Sequence, residues 1–291
     1  MTMKTCVSYK CWHLPHMGDS ESFYEDSYHP KIGFHQIQSN GFMRFAVADG
    51  VSGAYFSGGW ASQLTALFGK SGKTAFYNVD TLKAEAKKWV QDELEKAEIY
   101  YFDEPDEVKD IAEQIQTEGG AATVHGLELN ITDEELFWDS FSIGDSCMFH
   151  IRNGEIISQS PKLSYDEFGY SPEQISTLYP EEEYWNSITA SGTFQIGDVF
   201  LLATDAFSSW LITPHDSYPV SQKIQDVISL ESQQAFNVLI SQEREAKRME
   251  DDDVTLSLIK VTRPRELMSG CMSCKRMNCS RLPLRRVWKG D

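Results

Sequence analysis

The sequence predicts an α+β layered sandwich, and three observations support that fold class. Strand-like runs cluster along the chain, helix-like runs lie in separate blocks between them, and a strong hairpin signal joins two of the strand-like runs. A doubly wound parallel sheet would instead alternate single strands with single helices. With 291 residues, of which 41% are hydrophobic, the chain can form one large domain or two small domains with a core.

The predicted strands are short apolar or alternating runs. Asn153–Gly154 separates FHIR from EIIS and indicates a tight hairpin. VTLSLIKV alternates with a period of two residues. The strands are expected at 32–38, 42–48, 121–130, 136–143, 146–152, 155–158, 187–191, 198–204 and 254–261.

The predicted helices are longer and carry their apolar residues on one side. In the last of them, charged residues surround an apolar side formed by Ala235, Val238, Leu239 and Ile240. The helices are expected at 57–69, 81–102, 107–117, 205–212, 219–228 and 231–249.

Charge divides the chain near residue 262. Residues 263–291 carry a net charge of +6 within an overall charge of −18, so the first 262 residues carry −24. We therefore predict a folded domain over 1–262 and a basic, cysteine-containing tail over 263–291, with Pro264 at its edge. Attraction between the tail and the acidic domain is expected to be weak and sensitive to salt.

The same features exclude several classes of protein. A domain charge of −24 disfavours nucleic-acid binding, and no apolar run is long enough to span a membrane. The N-terminal residues lack the apolar core of a signal peptide, and six irregularly spaced cysteines suit a reducing compartment. These features predict a cytoplasmic protein without nucleic-acid or membrane partners, and they do not specify its oligomeric state.

Carboxylates occur at the ends of four predicted strands. Asp49 ends FAVAD, Asp205 ends LLATD, Asp252 precedes VTLSLIKV, and Glu25-Asp26 precedes the strand at 32–38. Each one alone suits a turn or a helix cap. A cluster of such carboxylates, however, would cost several kcal/mol for each buried group that has no partner, so it indicates bound cations. Ligands that are all oxygen favour Mg²⁺ or Mn²⁺.

In these motifs the sequence resembles the metal-dependent type-2C Ser/Thr protein phosphatases, the PPM family, in its bacterial form. Six elements occur in family order over most of residues 18–261. They are E-D at 25–26, F-A-V-A-D-G at 45–50, G-G-A-A-T-V at 119–124, I-G-D-S at 143–146, L-L-A-T-D at 201–205 and D-D-V-T at 252–255.

The resemblance implies a four-layer sandwich, in which antiparallel helix pairs flank a central antiparallel β-sandwich, with two Mg²⁺ or Mn²⁺ ions at one end. By position, Asp49 would bridge both ions, Asp205 and Asp252 would complete the first site, and the Gly50 carbonyl would bind the second. Glu25 and Asp26 would hold waters of the second ion or bind it directly. Asp145 would be the main ligand of a third, weaker ion. The implied catalytic residues are Asp49, Asp205 and Asp252.

Four positions depart from the family pattern. Glu21 occupies the place of an arginine that contacts the substrate phosphate, and Val51 occupies the place of a histidine found in eukaryotic relatives. Ala206 replaces a glycine, and Ser209 replaces an acidic residue, which weakens any third metal site.

Three functions are consistent with these motifs. The favoured function is hydrolysis of phosphoserine and phosphothreonine in substrates of a Ser/Thr kinase, by water that two ions activate. The missing arginine leaves open an inactive or weak relative that binds phosphoproteins as a regulatory module, and a two-metal nuclease is a more remote third. In the tail, Cys271, Cys274 and Cys279 begin a zinc-like pattern that Leu284 does not complete.

Overall fold

Two antiparallel sheets pack face to face, and helices cover both outer surfaces. A computed structural model of the chain describes residues 5–18, 24–38, 40–51, 56–168, 172–179 and 186–264. The α+β class and the four-layer sandwich predicted from the sequence are confirmed. Of the predicted tail, residues 265–291 lie outside the described residues.

The first sheet has six strands and includes a long N-terminal strand that the sequence patterns did not predict. This strand, β1, is ten residues long and pairs with a neighbour on each side. From edge to edge the sheet contains β3 (Phe34–Gln38), β1 (Thr5–Leu14), β13 (Val254–Thr262), β12 (Val199–Ala203), β8 (Cys147–Arg152) and β9 (Glu155–Ser160). The Asn153–Gly154 hairpin joins β8 to β9 as predicted, and both turn residues have positive φ, at 53° and 81°.

The second sheet has five strands, and one of its inner strands contains the FAVA run that leads to Asp49. In order it contains β11 (Ile188–Thr193), β7 (Leu136–Ile143), β6 (Val124–Ile131), β4 (Gly41–Ala48) and β2 (Ser27–His29). The strand predicted at 121–130 is divided. Its first two residues form β5 (Ala121–Ala122), which pairs separately with β10 (Ile175–Ser176).

The described residues form six α-helices, one for each predicted helix, and a 3₁₀ helix at Gly72–Ala75. The second sheet is covered by α1 (Ser57–Ser71), α2 (Val79–Tyr100) and α3 (Pro105–Thr117), and the first by α4 (Asp205–Ile212), α5 (Val220–Ser229) and α6 (Gln233–Glu245). The last helix ends four residues before its predicted end, because Lys247 adopts a left-handed conformation with φ of 55°. None of the described helices has the length and apolar content needed to cross a membrane.

Apolar side chains fill the space between the sheets, and polar residues replace them at one end of the sandwich. Val7, Phe45, Leu127 and Phe200 belong to this central core. Where the core ends, β4 and β12 finish and β13 begins. The residues at these three strand ends therefore face one region at the edge of the sandwich.

Candidate metal centre

Asp49 stands directly after β4, where backbone pairing fixes it from both sides. Ser27 lies opposite Ala48, so the same register places Asp26 beside Asp49. On the other side, the Thr123 N–H donates to the Asp49 carbonyl at 2.9 Å. The sheet therefore positions two carboxylates next to each other at its end.

Gly50 follows Asp49 in a position that only glycine fits. A Cβ atom there would lie 2.7 Å from the Glu25 carbonyl oxygen and 2.9 Å from the Ser57 carbonyl carbon. Gly50 also forms a β-bridge with Ala122. These contacts hold the backbone after Asp49 tightly against the segment that carries Glu25.

The first sheet contributes Asp205 and Asp252 to the same end of the sandwich. Asp205 is the first residue of α4, and its Oδ1 accepts the Ala206 N–H at 2.6 Å. Asp252 lies two residues before Val254, the first residue of β13. Because β12 and β13 are antiparallel neighbours, the end of one and the start of the other lie together.

Asp26 joins the two sheets through a buried hydrogen-bond network. Its Oδ2 accepts hydrogen bonds from Thr204 Oγ1 at 3.0 Å and from Thr255 Oγ1 at 2.8 Å. The Thr255 N–H in turn donates to Thr204 Oγ1 at 3.0 Å. The other oxygen, Asp26 Oδ1, is buried and has no hydrogen-bond partner among the described residues. A buried, unsatisfied carboxylate oxygen is costly, so a cation or water is needed beside it.

Asp145 occupies the turn between β7 and β8, and a hydroxyl pair connects this turn to Asp49. Gly144 has φ of 93°, and a Cβ there would lie 2.6 Å from Thr123 Cβ. Thr123 Oγ1 and Ser146 Oγ are 3.0 Å apart, and the Asp49 N–H donates to Thr123 Oγ1 at 3.4 Å. The turn was predicted from I-G-D-S, and Asp145 is buried within it.

Asp253 and Arg244 hold the N-terminal segment against the start of β13. Asp253 accepts the Glu25 N–H at 2.6 Å and the His16 N–H at 2.8 Å, one on each carboxylate oxygen. The buried Arg244 donates to the Pro15 carbonyl at 2.8 Å and to the Asp252 carbonyl. Asp253 and Arg244 thus organise the backbone around the cluster.

The carboxylates lie close enough to raise the pKa values of their neighbours. Burial, followed by the charges of Asp26 and Asp205, raises the pKa of Asp49 well above its usual range. Burial, followed by the charges of Asp145 and Asp252, raises the pKa of Asp205 to about 7. Burial is also the largest cause of the raised pKa values of Asp26 and Asp252. Ionising the cluster is therefore unfavourable without positive charge.

The donor set fits hard divalent cations that retain part of their water shell. Among the residues that the structure describes, no group of three or more His, Cys, Asp or Glu side chains is arranged to hold a metal ion directly. Mg²⁺ usually keeps several waters and binds one or two carboxylates. The orphaned Asp26 Oδ1 and the all-oxygen chemistry of the cluster suit such an ion.

The structure brings the predicted aspartates together and adds residues to which the sequence assigned no role. Asp26, Asp145, Asp205 and Asp252 all influence the pKa of Asp49. The half-buried Glu25 is placed next to them through its backbone. The additional residues are Thr123, Thr204, Thr255 and Asp253. All four lie within the recognised motifs G-G-A-A-T-V, L-L-A-T-D and D-D-V-T, but the sequence assigned them no role.

No family model matches the chain, and no curated protein matches it in sequence. Several solved structures are similar. The Ser/Thr phosphatase PstP/Ppp of Mycobacterium tuberculosis is 18% identical, with a TM-score of 0.50 over 88% of this chain and 98% of that chain. The catalytic domain of PstP in complex with two manganese ions is 18% identical, with a TM-score of 0.49 over 89% and 99%. The photosystem II phosphatase PBCP is 18% identical, with a TM-score of 0.47 over 87% and 98%.

The similarity to the mycobacterial phosphatase spans nearly the whole of that chain, and it establishes the architecture. The protein has the fold of the type-2C, or PPM, Ser/Thr phosphatases, as its motifs predicted.

Proposed function

We propose that the protein is a metal-dependent phosphatase that hydrolyses phosphoserine and phosphothreonine in proteins. One observation carries the proposal: aspartates from both sheets converge at one end of the sandwich, where burial and then their mutual charges raise their pKa values. A fold does not by itself determine function, so the proposal is supported by the site: a cluster of oxygen donors suited to divalent cations, which can catalyse phosphoryl transfer.

The proposed ligands are those that the motifs predicted. Asp49 would contact both ions, Asp205 and Asp252 would complete the first site, and the Gly50 carbonyl would serve the second. Asp26 and Glu25 would hold the waters of the second ion or bind it, and Asp145 would bind a third, weaker ion. Mg²⁺ or Mn²⁺ in these sites would activate water and neutralise charge on the transferred phosphoryl group.

The chain's own residues would orient and protect this centre. Thr204 and Thr255 hold one oxygen of Asp26 and leave the other oriented for a ligand. Backbone pairing to Thr123 keeps Asp49 in place. Val51 has no titratable group, so water bound at the centre would donate the proton to the leaving oxygen.

The chain has Glu21 at the position where the family pattern has an arginine that contacts the substrate phosphate. Arg244 is a cation beside the cluster, but it donates to the carbonyls of Pro15 and Asp252. This arrangement supports a second candidate, a weak or inactive relative that binds phosphoproteins. We further propose cytoplasmic phosphoproteins, modified by a cognate Ser/Thr kinase, as substrates or ligands.

Hydrolysis of an aryl phosphate and of phosphothreonine peptides, with MnCl₂ or with EDTA, tests the proposal. The wild type should turn over both substrates only with metal. Asp49→Asn should abolish turnover and weaken Mn²⁺ binding in calorimetry, while Asp92→Asn, on the exposed surface of α2, should change neither. Metal-independent turnover would refute the metal mechanism, and metal binding without turnover would favour the phosphoprotein-binding module.

A further inference from the structure

An apolar groove lies on the helical layer near the candidate metal centre. It has a volume of about 650 Å³ and is lined mainly by Phe56, Tyr100, Tyr101 and Ile111. Phe56 precedes α1, and the first residue of that helix, Ser57, packs against the backbone next to Asp49. The groove therefore lies at the same end of the sandwich as the carboxylates.

Large apolar side chains around the groove are unusually exposed. Ile99, Tyr100 and Phe102 have exposed fractions of 78%, 79% and 82%. Contiguous exposed apolar residues of this kind indicate an interaction surface. Residues 92–118, which form the end of α2 and α3, contain eleven acidic residues and two lysines, so the surface is also strongly negative.

We propose that this groove binds the C-terminal segment 281–289 of the same chain. The segment reads RLPLRRVWK and contains four basic residues together with Leu282, Leu284, Val287 and Trp288. It therefore offers apolar side chains for the groove and positive charge for its acidic surroundings. Pairing of this groove with the same groove on a second copy of the chain is disfavoured, because both surfaces are negatively charged and repel each other.

The connecting chain is long enough for this contact. Eighteen residues separate Thr262, where β13 ends, from Arg281. They can extend to about 60 Å. Strand β13 spans about 30 Å, and each packed layer adds about 10 Å, so the groove is within reach of the segment.

Photo-cross-linking in the full-length protein tests the contact without relying on phosphatase activity. Replacing the exposed Tyr100 with p-benzoylphenylalanine puts the reactive group in the groove without disturbing the core. Irradiation should link it to residues 281–289 of the same chain, as identified by mass spectrometry of the monomer band. The same probe at Ile157, which is 47% exposed on β9, is the matched control and should not link to that segment.

Substitutions in the segment then separate specific docking from general charge attraction. Trp288→Ser and Leu284→Ser should each reduce the yield of the Tyr100-position cross-link severalfold, because buried aromatic and aliphatic anchors dominate such contacts. Arg285→Glu combined with Arg286→Glu should reduce it too, and added salt should weaken the wild-type contact. Cross-links between chains, equal yields from both probe positions, or yields unaffected by Trp288→Ser and Leu284→Ser would each overturn the proposal.

Discussion

Asp205→Asn should stabilise the metal-free protein while weakening its stabilisation by metal. Asp205 is surrounded by other carboxylates, and burial together with Asp145 and Asp252 raises its pKa to about 7. Asparagine keeps the size of the side chain and the oxygen that accepts the Ala206 N–H. The substitution therefore removes a charge and preserves the local hydrogen bond.

The magnitude follows from the difference in pKa between the folded and unfolded states. The usual value for Asp is 3.8, and the folded value is about 7. Because the folded state binds this proton more tightly, stability falls as the pH rises from about 4 to about 7 and stays lower above that range. Ionised Asp205 therefore lowers the free energy of unfolding by about 4 kcal/mol at about pH 7.5, and by under about 1 kcal/mol near pH 4.

Unfolding by urea in EDTA, at about pH 4.5 and about pH 7.5, measures this effect. The Asn variant should gain about 4 kcal/mol over the wild type at the higher pH and much less at the lower pH. Excess Mn²⁺ should stabilise the wild type by about 3 kcal/mol at a hundred times its dissociation constant, and should stabilise the variant less. Asp92→Asn, which removes an exposed partner of Lys88, should shift stability by less than about 1 kcal/mol.

Two results would refute this reasoning. One is a variant that is less stable than the wild type in EDTA at the higher pH. The other is a gain in stability that does not depend on pH, because the predicted gain comes only from removing an ionised carboxylate.

Three further substitutions test the centre. Thr255→Val removes one of two donors to Asp26 and should weaken Mn²⁺ binding about tenfold in calorimetry; unchanged affinity would contradict the role of this network. Gly50→Ala places a Cβ 2.7 Å from a backbone carbonyl and should destabilise the fold by about 1–3 kcal/mol in urea unfolding; an equally stable variant would show that the segment can move. Asp145→Ala should reduce turnover without abolishing it, since the proposed two-ion site remains; a loss as complete as that of Asp49→Asn, in a folded protein, would contradict a third-ion role.

Local sequence patterns were sufficient for most elements of the sandwich. The Asn153–Gly154 turn needs positive φ at both positions, and the structure has it there. FAVAD and LLATD each become a strand, and these strands end one residue before Asp49 and two residues before Asp205. All six predicted helices are present. On α6, however, the expected apolar face is only partly buried, because Ile240 is buried whereas Val238 is 50% exposed.

The strand β1 was missed because its alternation is short. Val7, Tyr9 and Cys11 alternate with Ser8 and Lys10, but Cys6 and Trp12 put apolar residues on the polar face as well. TCVSYKCWHL pairs with a strand on either side, and it contributes Val7 and Tyr9 to the central core but Trp12 to the helical layer. A strand buried on both faces lacks the polar side that identifies a half-exposed strand. Its pairing with β13 joins residues that are far apart in the chain, so tertiary contacts determine its conformation.

The sequence by itself determined which carboxylates occur at strand ends and, through their order, which family of folds they resemble. Only the tertiary structure decided how they are held. Asp26 receives a hydrogen bond from Thr255, 229 residues away, and Asp253 receives one from the backbone of Glu25. Such contacts depend on sheet register and on the packing of two sheets, which local periodicity does not encode. The raised pKa values also arise at that level, because they require several carboxylates from distant segments to share one desolvated region.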